Sequence, residues 1–147
     1  MMCCVRPAVP EDAEAVYRLI CELNGGGALD KHKFMLIYLD NLQKENICYF
    51  VVPTQGVVVG FISMSIGACL CKVGDVAMVE EMIVDEQYRG QGFGKALMET
   101  AVECAKARQC CAVWLTSGFA RTGAHAFYEA QGFIKNGYRM CLDFEQP

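Results

Sequence analysis

The sequence predicts an α/β fold, a mixed, mostly antiparallel central sheet with helices on both faces. Three observations predict it. Hydrophobic residues make up 54% of the 147 residues and charged residues 20%, which suits one well-filled core in a single domain spanning 1–147. Stretches of helical periodicity alternate with stretches of strand character, without repeats or low-complexity tracts. The connections are of two kinds: tight turns that make hairpins, and helices that carry the chain back between parallel strands.

The elements follow in order. "CCVRPA" is a short opening strand. Pro10 begins a helix with Glu11 and Asp12 in its first turn, where the helix dipole favours acids. Val16, Leu19, Ile20 and Leu23 then follow the i, i+3, i+4, i+7 spacing of a buried stripe. "NGGG", Asn24 to Gly27, stops that helix. Asp30 caps a second, with Phe34, Ile37, Tyr38 and Leu42 on one side. "ICYFVV" and "VVVGFISMSIGACL" flank the turn "PTQG" in a hairpin, and "KVGD" leads into a third strand, Val76 to Val84. A helix from about Gly92 to Ala107 turns Phe93, Leu97, Ala101, Cys104 and Ala105 inward and Lys95, Glu99, Glu103 and Lys106 outward. "CAVWLTS" is a strand, Thr122 to Gln131 a helix and "YRMCLDF" a last strand, giving the order βααβββαβαβ.

Composition excludes several classes of function. A net charge of −4 and a pI near 5.2 argue against nucleic-acid or anionic-membrane partners. No apolar run approaches the roughly 20 residues that span a bilayer. The N-terminus turns acidic where a signal peptide would be apolar, so a cytoplasmic protein is expected. The ten cysteines lie inside apolar segments such as "GACLCKV" and "RQCCAVWL", the pattern of small reduced core residues. They lack the paired C-x-x-C spacing of a zinc site, and His32 and His125 are far apart, so no metal is expected.

"QYRGQGFGKAL", Gln87 to Leu97, places Gly90, Gly92 and Gly94 between a strand and a helix. Exposed backbone N–H groups leading into a helix N-terminus make an anion site, and glycines remove side chains that would hold a phosphate away. A Walker loop fails, because Arg89 stands at its first glycine and Ala96 replaces its Ser or Thr. A dinucleotide fingerprint fails at Lys95. The plainer alternative is a glycine turn that caps the helix. Glu80 and Glu81 are a second signal, since carboxylates in an apolar strand are costly unless they face a cleft. Strand alternation sends the two to opposite faces, so only one is expected to see a substrate.

What survives in the loop is Arg89-x-x-Gly92-x-Gly94, which resembles the acyl-CoA-binding signature of the GNAT N-acetyltransferases. "VEEMIVDEQYRGQGFGKALMETA" resembles that family's central strand, loop and helix, "AHAFYEAQGFIKNGYRMCLDF" its C-terminal part and "VRPAVPEDAEAVYRLI" its opening, so the likeness covers essentially the whole chain. The resemblance implies acetyl-CoA as cosubstrate. It implies that the backbone of Arg89, Gly90, Gln91, Gly92, Phe93, Gly94 and Lys95 holds the pyrophosphate, and that Met82, Ile83 and Val84 pair with the pantetheine arm like an added strand. Many family members carry asparagine seven residues before the tyrosine of Phe-Tyr; here Arg121 stands there and could meet a CoA phosphate or an anionic substrate, or simply cap the surface of the helix. Tyr128 corresponds to the tyrosine that the family places near the CoA sulfur, which makes it the candidate acid. Glu80 is the favoured base, as small-amine acetyltransferases of the family often have an acid there, with Glu81 next.

"AVYRLICELN", "DKHKF" and "RTGAHAFYEAQGF" are also similar to the aminoalkylphosphonate N-acetyltransferases of this family. A phosphonate-bearing amine requires cations, and Lys31, His32, Lys33, Arg121, His125 and Arg139 are the stock available. The expectation is therefore acetyl transfer to a small primary amine by direct attack, in a family that often forms homodimers. A protein N-terminal or lysine acetyltransferase, or a non-catalytic acetyl-CoA sensor, remain the alternatives.

Overall fold

The computed structural model describes residues 3–117 and 122–144, and the chain divides into two compact units, the second beginning at Thr116. The first holds β1 (Arg6–Pro7), α1 (Ala13–Leu23), α2 (Lys31–Asn41), β2 (Ile47–Thr54), β3 (Val57–Cys69), β4 (Gly74–Val84), α3 (Phe93–Ala107) and β5 (Ala112–Leu115). The second holds α4 (Thr122–Ala130). The sheet order is β1-β2-β3-β4-β5, antiparallel except for the parallel β4–β5 pair that α3 connects.

Local chemistry sets the boundaries. Pro10–Asp12 form a 3₁₀ turn before α1, and Asp12 closes it by accepting the Val9 N–H at 2.9 Å. Arg6 reaches the same carboxylate with two hydrogen bonds of 2.8 and 3.0 Å. Burial alone would raise the Asp12 pKa, but Arg6 and the Val9 N–H hold it below the usual carboxylate value. Gly25 and Gly26 end α1 with φ of +81° and +86°. Asp30 caps α2 by accepting from the Lys33 N–H at 3.0 Å. The β2–β3 turn needs positive φ at Gln55 (+49°) and Gly56 (+78°), as a two-residue hairpin turn does. Pro53 sits at a register shift of the β2–β3 ladder, between Val52↔Gly60 and Pro53↔Val58, and beyond the two residues that β1 pairs.

The helices lie on both faces of the sheet. Val16 and Leu19 of α1 and Tyr38 of α2 are buried with Val51, Phe61 and Ile83 on one face. On the other, a Cβ added at Gly60 would stand 2.8 Å from Val52 Cγ1 and 3.0 Å from Leu97 Cδ1 of α3. Phe61 and Gly60 are adjacent in β3 and so point opposite ways. Gly60 is thus the position where α3 comes down onto the strand, and any larger residue must push Val52 and Leu97 apart. All ten cysteines are free thiols, and no helix among the described residues is long and apolar enough to cross a membrane.

Two expected strands change. The opening strand shrinks from "CCVRPA" to Arg6–Pro7. "YRMCLDF" forms no strand: residues 133–144 carry no regular structure, and Tyr138, Met140, Leu142 and Phe144 are exposed. Alternating apolar residues make a strand only where a ladder forms, and no described residue of this segment is in one.

Candidate active site

The site is built around an irregularity in the β3–β4 ladder. Ser63 pairs with Glu81 and the next residue, Met64, pairs with Val79, so Glu80 is an extra residue on β4. Such a bulge breaks the alternation of side chains locally. The expectation that only one of the two glutamates faces the cleft is therefore corrected: Glu80 and Glu81 both line the same cavity. Each carboxylate is held by a serine one strand away. Ser63 Oγ–H donates to Glu81 Oε1 while accepting the Glu81 N–H at 3.0 Å, and Ser65 Oγ–H donates to Glu80 Oε1 at 2.9 Å. Ser63 is buried and Glu81 half-buried, whereas Glu80 is exposed.

The cavity holds about 350 Å³, within the range of a small-molecule site. Val16 and Ile20 of α1 and Phe34, Ile37 and Tyr38 of α2 form one wall. Tyr49 of β2 and Phe61 and Met64 of β3 form the floor. The rings make a continuous series: Phe34 stacks on Tyr38 (6.2 Å), Tyr38 on Tyr49 (5.6 Å), and Tyr49 meets Phe61 edge-on (5.2 Å). Asn41 Nδ2–H donates to the Tyr49 hydroxyl at 2.7 Å, and burial pushes that phenol's pKa up, so it stays neutral. No Lys, Arg or His is among the described residues that line the cavity.

Beyond the bulge, β4 offers an edge that no strand among the described residues pairs. The β4–β5 ladder runs from Val76↔Ala112 to Val79↔Leu115 and stops, while β4 continues through Met82, Ile83 and Val84. An extended ligand with amide groups can add to such an edge. The chain then enters the glycine loop. Gly90 and Gly92 have φ of +76° and +89°, and Gly92 is the residue before α3. The first intrahelical bond is Ala96 N–H to Gly92 O, so the N–H groups of Phe93, Gly94 and Lys95 precede the helical ladder. A Cβ at Gly90 or Gly92 would meet no atom within 4 Å, so neither glycine is required by packing. The open space over a turn of N–H donors fits the phosphates of CoA. The Arg89 side chain is turned to the scaffold, donating to Val84 O at 3.0 Å and to Glu22 Oε1 at 3.1 Å. Lys95 sits 3.8 Å from Glu99 on the exposed face of α3.

The second unit carries Tyr128 on α4, its ring edge-on to Phe127 (5.5 Å) and Phe133 (6.0 Å). Arg121 lies outside the described residues. Of the other cations, Lys31 pairs with Glu14 at 2.8 Å, and Arg139 donates to Thr116 Oγ1 at 3.5 Å within the second unit. Sequence reasoning missed Asn41, Tyr49, Ser63 and Ser65. The two serines did leave a signal, since they are the polar residues at alternate positions of the otherwise apolar Phe61–Ile66 run.

Comparison with known proteins agrees with this geometry. Residues 13–133 match the acetyltransferase (GNAT) family, and the chain belongs to it. An aminoalkylphosphonate N-acetyltransferase of Salmonella typhimurium is 32% identical over 95% of this chain and 90% of its own length. An uncharacterized N-acetyltransferase of Methanocaldococcus jannaschii is 35% identical over 67% of this chain, which spans about half (46%) of that protein. A solved structure described as an acetyltransferase from Agrobacterium tumefaciens superposes with a TM-score of 0.86 at 26% identity, covering 96% of this chain and 99% of that one. The protein is an acetyl-CoA-dependent N-acetyltransferase that acts on amines.

Proposed function

We propose that the cavity at the β4 bulge binds the acceptor, a small primary amine, and that Glu80 and Glu81 together receive its ammonium group. The observation that carries this is the extra residue in β4, which turns two carboxylates toward one apolar cavity. Acetyl-CoA supplies an acetyl group activated as a thioester. The backbone of Arg89 to Lys95 binds its phosphates and Met82 to Val84 its pantetheine arm. Glu81, anchored on buried Ser63, holds the amine. Glu80, exposed, takes the ammonium proton and passes it to water. The amine nitrogen bonds to the acetyl carbon as the C–S bond breaks; the Tyr128 hydroxyl gives its proton to the sulfur, and the proton the nitrogen sheds in becoming an amide returns through water to that phenolate. Arg121 assists at a CoA phosphate.

We place this chemistry in one catalytic domain spanning 1–147, in the cytoplasm, where ten free thiols suit a reducing compartment. A homodimer is supported by the exposed apolar series Tyr138, Met140, Leu142 and Phe144, which a second copy would cover. An aminoalkylphosphonate acceptor is the second reading, supported by the Salmonella relative. It would draw its phosphonate-binding cations from outside the cavity lining, from Lys31, His32, Lys33, Arg121, His125 or Arg139.

The test is a thiol-release assay with acetyl-CoA and a panel of primary amines and peptides. Thiol release that depends on a small amine, with an equal yield of its N-acetyl derivative, is the expected result. Acetylation of peptides alone would move the acceptor out of the cavity, and acetyl-CoA binding without transfer to any acceptor would make the protein a sensor.

A further inference from the structure

The cavity that takes the amine also says what the rest of the acceptor must be, an inference that rests on the acetyltransferase reading above. Among the described residues, the charged groups lining it are two carboxylates, Glu80 and Glu81, each already holding a serine hydroxyl. The half-buried rings of Phe34 and Tyr49 line the same cavity, backed by the buried rings of Tyr38 and Phe61, with successive centroids 5.2–6.2 Å apart. An anionic tail placed there would face two like charges and lose its water without gaining a cation from the described lining. A flat apolar body would instead stack along the rings and cover apolar surface, with its ammonium left at the carboxylates.

We infer that the acceptor is an apolar primary amine of the arylalkylamine class, held by its ammonium at Glu80 and Glu81 and by its ring against the half-buried Phe34 and Tyr49. Selectivity then comes from the apolar wall, and exclusion of anionic amines from the two carboxylates. Ile37 tests the second point without disturbing the core, because it lines the cavity yet is 60% exposed.

The experiment compares 2-phenylethylamine, ethylamine and 2-aminoethylphosphonate as acceptors, by kcat/KM and by calorimetric titration into the CoA-loaded protein. The phenyl compound is expected to exceed ethylamine in kcat/KM by about 10- to 150-fold, the gain from burying one aromatic side chain. 2-Aminoethylphosphonate should fall below ethylamine and give no titration heat. Ile37→Lys should lower the phenyl compound and raise the phosphonate in both measurements. Preferred turnover and binding of the phosphonate by the unaltered protein would overturn the inference while leaving the acetyltransferase reading intact. Binding of 2-phenylethylamine without its acetylation would support the cavity's preference but break the placement of acetyl transfer at this cavity.

Discussion

Gly92→Val is expected to abolish acetyl-CoA binding in a protein that still folds. The cost to the fold is confined to the backbone: a Cβ at Gly92 meets no atom within 4 Å, but φ there is +89°. A left-handed conformation costs an L-residue about 1–2 kcal/mol, more when it is β-branched, which a small domain with a filled core survives. The cost to the ligand is larger, because the valine methyls occupy the space where phosphate oxygens approach the N–H groups of the loop. Hydrogen bonds to a charged group are worth about 1.5–3 kcal/mol each, so losing two weakens binding by roughly 100-fold or more. Lys95→Ala should cost less than about tenfold, since an exposed lysine contributes at most about 1 kcal/mol. Titration of CoA into the folded variants measures both effects. Unchanged affinity in Gly92→Val would remove the loop from the CoA site.

Tyr128→Phe is expected to lower kcat by roughly 10²–10⁴-fold, the usual scale of general acid catalysis, with CoA affinity little changed. The substitution removes one oxygen and keeps the edge-on contacts with Phe127 and Phe133, so α4 should retain its packing. Single-turnover rates at saturating acetyl-CoA separate the chemical step from binding. A variant that keeps the full rate would move the acid to another group or to water.

Most of the fold was legible because it rests on local signals. The α1 stripe, the Asp30 cap, the Gln55–Gly56 turn and the glycine entry to α3 each follow from residues within one turn of the feature. Where the outcome depended on a distant partner, the sequence was a poorer guide. "YRMCLDF" has the alternation of a strand but forms no ladder among the described residues. The site shows the same division. Glu80 and Glu81 stood out as carboxylates in an apolar strand, and the loop as a row of alternate glycines. Their shared orientation did not, because a bulge is a property of two strands in register, written in neither alone. The cavity wall was hidden for another reason: Phe34, Tyr38, Tyr49 and Phe61 have the spacing of ordinary core residues, and it is the gap between α2 and the sheet that makes them a site.

The pairing of an acceptor amine with Glu80 and Glu81 is tested most directly by the pH dependence of kcat/KM for the native enzyme, Glu80→Gln and Glu81→Gln. If Glu80 takes the ammonium proton, Glu80→Gln should fall by roughly 10²–10⁴-fold at neutral pH. That loss should shrink as pH rises toward the ordinary alkylammonium pKa of about 10.4, where free amine no longer needs a base. Glu81→Gln should act mainly through a higher KM for the amine. Native rates and native KM in both variants across the whole pH range would contradict the carboxylate pair as the acceptor site.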